Sequence, residues 1–473
     1  VRRTLKVVAV LALAGSVTAA CNRGGHAATP PTTRPTTTST SSTTSTTVPP
    51  TTTTAAGTCA VPPRAVPDPQ RPRYVIHIDV RPAERRVVGD LTVRFTPDLA
   101  TDKLVFRLWP NGPRLANAGA KLTVGQVQLG AHNGSTTQPD PTTLVVALGA
   151  PLAAGQTIEA TVPWELTLPG PNNDRIAQIG DSIRLGSFFP ILAWEPGVGW
   201  AMEPPTTGFA EASLAPAADF DMAITVPAGL NVLATGIPDE GRTRWHAEGA
   251  RDAGVSVGRF HVAEANAGGV HITVGVADGL SDNPATYAGK LAARMATLAT
   301  LFGPYPWPAY TVALTPNLSG GIEYPMHVMQ GPNTGGGTTT HELSHQWFFG
   351  LVGNNQGRDP WLDEGLATYA ESRADGSLTA RRATVIPRDA VGHLTSPMTY
   401  WQAHQSSYFR GVYVQGTQAM ASLGDVNRVD CALRIYVARN AYRIARPADL
   451  LGAVAMVFGD TSKLASYGVT SHP

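Results

Sequence analysis

The sequence predicts a multidomain chain: an N-terminal all-β domain of sandwich or saddle type, followed by an α+β domain. Three observations carry this expectation. Between Tyr74 and Asn266 the chain runs in short β-branched or alternating stretches, broken by Gly, Pro, Asn and Asp. From about Gly268 the apolar period lengthens to three or four residues, the spacing of a buried helix face. The length of 473 residues suits two or three folding units at roughly 150 residues each.

Taken in order, the first element is a targeting segment. Arg2, Arg3 and Lys6 form a basic head, and Val7 to Val17 is apolar but too short to span a bilayer. Residues 1–20 read as a signal peptide. Thr18-Ala19-Ala20-Cys21 resembles a bacterial lipoprotein box, although Thr18 stands where that box carries Leu. Acylation of Cys21 would anchor the chain on the outer face of the membrane; cleavage after an Ala would secrete it. Residues 21–58 are dominated by Thr, Ser and Pro and read as a disordered tether, because they hold too little apolar surface to form a core.

The β-rich domain is expected over 59–266, with strands at Tyr74 to Val80, Val87 to Phe95, Thr143 to Leu148 and Met222 to Val226. The α+β domain is expected over 267–473. Its helices are read at Ala285 to Phe302, Leu362 to Arg373, Gly411 to Leu423, Asp430 to Asn440 and Ala448 to Phe458, with a strand near Thr311 to Leu314. Two cysteines follow the tether, Cys59 and Cys431. Outside the cytosol such a pair often bonds, and the alternative is two unrelated buried thiols.

Chemistry concentrates at His341-Glu342-Leu343-Ser344-His345. On a helix, positions four apart share a face, so His341 and His345 can direct two imidazoles at one metal ion, with Glu342 beside them. Glu364, in Trp361-Leu362-Asp363-Glu364-Gly365, follows His345 after 18 intervening residues. It would complete a His-His-Glu zinc set with one position open for water. The lead-in is rich in Gly and Thr, and Thr339 or Thr340 can cap the helix. The following Gln346-Trp347-Phe348-Phe349 is mostly apolar, which places the helix in a core.

These motifs resemble the aminopeptidase N and leukotriene hydrolase family of gluzincins, and so do Gly320-Gly321-Ile322-Glu323-Tyr324-Pro325 and Tyr413-Val414-Gln415-Gly416. The resemblance implies a saddle-shaped β domain followed by a thermolysin-like zinc peptidase domain, here without the family's large C-terminal helical domain. It implies Glu342 as general base and Tyr413, in a Tyr-x-x-Gly frame, as the oxyanion donor; Tyr408 is the competing tyrosine. It implies that Glu323 binds the substrate's α-ammonium, with Gly320 and Gly321 giving the substrate backbone room to approach. Ile322 and Tyr324 depart from the family pattern, and an altered pocket shape is expected there. Glu195, in Trp194-Glu195-Pro196, is the nearest match to the family's second amine-binding acid; a structural surface Glu is the alternative. His327 is read as pocket lining or structural. Asp252-Ala253-Gly254-Val255 looks family-like without evident chemistry.

The expected activity is zinc-dependent peptide hydrolysis outside the cytoplasm, with release of N-terminal residues. The rivals are an endopeptidase or other hydrolase on the same scaffold, and an inactive envelope-binding lipoprotein. A net charge of +1 with 15% charged residues offers no case for a nucleic-acid partner. The expected partners are peptides, and a membrane through a lipid on Cys21.

Overall fold

A computed structural model describes residues 59–207 and 214–470. The signal peptide, the tether and the Cys21 lipid site lie outside the described residues. Alternation builds the first part. In β1 (Arg73–Arg81), Tyr74, Ile76, Ile78 and Val80 are buried while their neighbours face outward. β1 pairs antiparallel with β2 (Arg86–Phe95), which pairs antiparallel with β3 (Ile158–Thr167). On its other side β1 runs parallel to β4 (Ala218–Thr225). These belong to a nine-stranded sheet, and two four-stranded sheets accompany it among the described residues. An aromatic cluster ties the layers: Tyr74 stacks on Phe220 at 4.8 Å, and Phe189 meets both edge-on.

A five-stranded sheet carries the site. Its strands are β5 (Phe260–Ala267), β6 (Val270–Ala277), β7 (Ala309–Leu314), β8 (Gly321–Tyr324) and β9 (His327–Gln330), in the spatial order β5-β6-β7-β9-β8. The 266/267 boundary read from the sequence falls inside the β5–β6 hairpin, so this sheet begins at Phe260. The parallel β6 and β7 are joined through α1 (Pro284–Phe302). Asn283 caps α1 by accepting from the Thr286 N–H at 2.9 Å, and Pro284 takes the first turn, where its missing N–H costs nothing. Tyr287, Leu291, Met295, Leu298 and Phe302 form its buried stripe. β8 is an edge strand, with one side unpaired among the described residues.

The motif helix α2 spans Gly336–Ser344, and α3 (Trp361–Asp375) packs against it. The cap of α2 is Gly335, which corrects the expectation for Thr339 and Thr340: both lie inside the helix. Thr340 Oγ1 instead donates to Gly336 O at 3.0 Å. The helix expected at Gly411 to Leu423 begins as a π-helical turn over Arg410–Val414 and continues as α4 (Gln415–Ser422). α5 (Val426–Asn440) and α6 (Pro447–Phe458) pack on each other. Cys59 and Cys431 form a disulfide across a sequence separation of 372 residues. Among the described residues there is no separate large helical domain, and no helix is long and apolar enough to cross a membrane.

Candidate active site

α2 and α3 bring the predicted ligands together. His345 Nε2 lies 3.0 Å from His341 Nε2, and Glu364 Oε2 lies 3.1 Å from His341 Nε2 and 3.3 Å from His345 Nε2. Three potential ligand atoms thus converge on one point. The set fits zinc in chemistry and number. Burial opposes ionisation of Glu364, but His345 and His341 hold its carboxyl well below the usual carboxylate range. A second grouping, of Glu323, His345 and Asp363, shares His345. There Asp363 Oδ1 stands 2.6 Å from His345 Nδ1, which leaves no room for an ion between them, and the Nδ1 hydrogen bond goes to Phe348 O at 3.1 Å.

Each histidine has a carboxylate behind it. Asp363 is fully buried, backs His345, and accepts from Gln356 Nε2 at 2.5 Å. Glu371 Oε2 lies 3.5 Å from His341 Nδ1 and bonds to Arg381. Such partners fix ring orientation and raise ligand basicity. The motif reading missed both residues, although Glu371 follows Glu364 by two helical turns on the same face.

Glu342 is 5% exposed, and its Oε2 has no hydrogen-bond partner among the described residues. Burial raises its carboxyl to about 7, with Glu364 and Asp363 adding to the rise and His341 and His345 opposing it. A basic group held near neutrality beside a metal site suits proton transfer. Gly321 makes this position available: a Cβ there would stand 2.4 Å from the Glu342 carboxyl carbon.

Tyr413 donates its O–H to Glu364 Oε1 at 2.6 Å and stacks on the His341 ring. The π-helical turn sets its direction, and the insertion of one extra residue in a turn often marks a functional site. A close crossing sets its depth. A Cβ on Gly416 would come 2.6 Å from Gly365 Cα, so α3 and α4 touch backbone to backbone. Gln415 is buried and bonds to Ala390 O and Gly411 O instead of facing the site.

The triad, Glu342, Tyr413, Glu323, Gly320 and Gly321 all line one cavity of about 560 Å³, with Tyr408 beside them. Ile322 lines it too, whereas Tyr324 is buried away from it. The altered shape expected at Tyr324 is therefore absent. Sequence reading also missed Asn173, Arg175, Thr368, Gln405 and Phe409 on the cavity wall, which carry no local motif. Glu195 is not on that wall. It is 1% exposed, with Arg358 on one carboxylate oxygen and Arg446 at 3.0 Å on the other, so its charge is spent in an ion-pair cluster. His327 is fully buried between Ser256 Oγ at 3.0 Å and Thr311 Oγ1 at 2.7 Å, a structural role.

Comparison with known proteins agrees with this geometry. Residues 336–466 match the Peptidase family M1 domain. Aminopeptidase B of Mus musculus is 35% identical over 95 residues, 18% of this chain and 15% of that one. Leukotriene A-4 hydrolase of Xenopus laevis is 36% identical over 86 residues, 16% of this chain and 14% of that one. The matched stretch is thus a small part of these relatives. An M1 zinc metallopeptidase from Deinococcus radiodurans superimposes with a TM-score of 0.62 at 22% identity, covering 85% of this chain and 96% of that one, a likeness of fold. Residues 336–466 thus match a peptidase family M1 domain, and part of the chain is homologous to aminopeptidase B and leukotriene A-4 hydrolase.

Proposed function

We propose that the protein is a zinc-dependent peptidase that releases N-terminal residues from short peptides. The observation that carries this is one cavity wall holding the His341, His345, Glu364 group, the unpartnered Glu342 oxygen, Tyr413 and Glu323. Zinc, when bound, polarises a carbonyl and acidifies water. Glu342 takes the proton of the attacking water and passes it to the leaving amine. Tyr413 turns its hydroxyl from Glu364 to the oxyanion. Glu323 receives the α-ammonium as a charge-assisted pair. Gly321 and Glu323 share one face of β8, roughly 7 Å apart at strand spacing. Glu342 stands at the first and the anchor at the second, so the peptide is counted from its end. A mutant of the Deinococcus radiodurans enzyme was solved with a Tyr-Ser-Ala substrate, which supports short peptides as the substrate class.

The test compares free and N-acetylated peptides on wild type and Glu342→Gln. The expected result is zinc-dependent turnover of the free peptide, little of the blocked one, and loss of both in the variant. Equal rates on the two peptides would make the enzyme an endopeptidase, and no turnover of either would favour a binding protein. The proposal includes export and acylation at Cys21, supported by the basic head and the box before it. Retention of Cys21→Ser in the membrane fraction would sink that part.

A further inference from the structure

Tyr324 follows Glu323 directly, ends the edge strand, and plays no part in the chemistry above. β8 has only four residues and one paired side, so its setting depends on how its ends are held. The Tyr324 end is held from two directions. The ring lies over two glycines of the β-rich part. A Cβ on Gly186 would come 2.1 Å from the Tyr324 hydroxyl, and one on Gly254 would come 2.6 Å from its ring. The hydroxyl faces Ser187 Oγ at 3.4 Å, and Ser187 donates to Asp252 Oδ2 at 2.7 Å. Ser187 spends its proton on Asp252, so Tyr324 is the donor into Ser187. The other Asp252 oxygen accepts the Ala253 N–H at 2.7 Å.

Ser187 holds this place at φ +48°, a left-handed conformation that a non-glycine residue adopts only when its surroundings insist. Tyr324, Ser187 and Asp252 are all almost fully buried, and none lines the cavity. On the backbone side, Gln346 Nε2 donates to Tyr324 O at 3.0 Å, and Gln346 Oε1 accepts the Met326 N–H at 2.8 Å. Gln346 is the residue after His345. One clamp therefore joins the end of β8 to the metal-ligand segment, and the other joins it to the β-rich part. Between them Glu323 brings a carboxylate oxygen within 4.8 Å of a His345 ring nitrogen.

We propose that Tyr324, seated by Ser187 and Asp252 on one side and by Gln346 on the other, is a positioning residue that sets the Glu323 carboxylate for a free α-ammonium. This rests on the amine-anchor reading of Glu323. It gives Asp252-Ala253-Gly254 a role: the acid orients the tyrosine through Ser187, and the glycine makes space for its ring. The departure of Tyr324 from the family pattern changes how the anchor is held and leaves the cavity wall alone.

The test uses the full chain loaded with zinc, a free-amine peptide and its N-acetylated counterpart. Wild type, Tyr324→Phe, Asp252→Asn and Glu323→Gln are compared for KM, kcat, zinc content and melting temperature. Glu323→Gln is expected to raise KM for the free peptide. Tyr324→Phe and Asp252→Asn should raise the same KM by about tenfold while kcat and zinc content hold, the pattern of lost uniform binding. Tyr324→Phe removes one oxygen from an otherwise filled site, so it tests the idea even where Asp252→Asn fails to fold. A wild-type KM in Tyr324→Phe, with KM raised in Glu323→Gln, overturns the positioning role and leaves the anchor standing. Unchanged KM in Glu323→Gln overturns both. A lowered melting temperature with kcat reduced and KM unmoved marks a merely structural tyrosine and also overturns the proposal.

Discussion

The Tyr413 hydroxyl and Glu364 Oε1 meet at 2.6 Å, joining the oxyanion candidate to the third ligand candidate. The bond gives the hydroxyl a resting partner, which under the proposed mechanism a substrate oxyanion would replace. Tyr413→Phe should lower kcat by about 10²–10³, as loss of one oxyanion donor does, with zinc content retained. Steady-state kinetics and metal analysis on one preparation check this. Loss of zinc with the activity would show that the hydroxyl mainly braces Glu364.

The contact between Gly365 and Gly416 fixes how deep that tyrosine sits. Gly416→Ala places a methyl 2.6 Å from Gly365 Cα, where no flexible side chain can yield. Overpacking of this kind costs about 1–3 kcal/mol. A urea titration should show the loss, and kcat should fall with it, since Glu364 and Tyr413 lie within one turn of the contact. An unchanged midpoint would mean that the two helices slide apart freely.

Asp363 predicts a metal phenotype that needs no activity assay. It is buried 2.6 Å from His345 Nδ1. Asp363→Ala should weaken zinc binding by roughly 10–100-fold, measured by competition with a chromophoric chelator. Removing zinc from the wild type should lower its melting temperature, because a ligand at about a thousand times its Kd contributes about 4 kcal/mol. Indifference of the melting temperature to chelator would argue against a tightly held ion.

His327 makes stability depend on pH. Burial drives its pKa down to about 3, from 6.5. The folded state keeps it neutral while the unfolded chain takes up a proton below 6.5, so its contribution is complete above that pH. The contribution is lost as pH falls from 6.5 towards 3, at about 1.4 kcal/mol per unit. Asp252, raised by burial to about 6, acts with the opposite sign between 3.8 and 6. The measurement is therefore the difference between wild type and His327→Gln, by denaturant midpoint at pH 7 and 5. Parallel curves would remove His327 as the source.

The site was legible in the sequence where chemistry and spacing coincide. His341 and Glu364 lie on two helices and His345 caps the first, and the i, i+4 spacing with the 18-residue gap let their convergence be anticipated. Glu323, Gly321 and Tyr413 were reached through motif resemblance, and the cavity gathers them. Glu195 was misplaced because a buried carboxylate reads the same whether it meets a substrate amine or two arginines. The Gly335 cap was missed because Thr339 and Thr340 have better capping chemistry but sit one turn too late. Asn173 and Arg175 could not be seen at all: they come from a loop far away in sequence, and only tertiary packing brings them to the wall.

The bond between Cys59 and Cys431 also decides where mechanical load enters this fold. A pull on the chain ahead of Cys59 passes through the sulfurs into α5 and bypasses the start of β1. Beside that entry point, Asp430 grips Arg373 on α3, the helix that bears Glu364. Force applied this way must shear a packed helix against its neighbours. It cannot unzip a strand one hydrogen bond at a time.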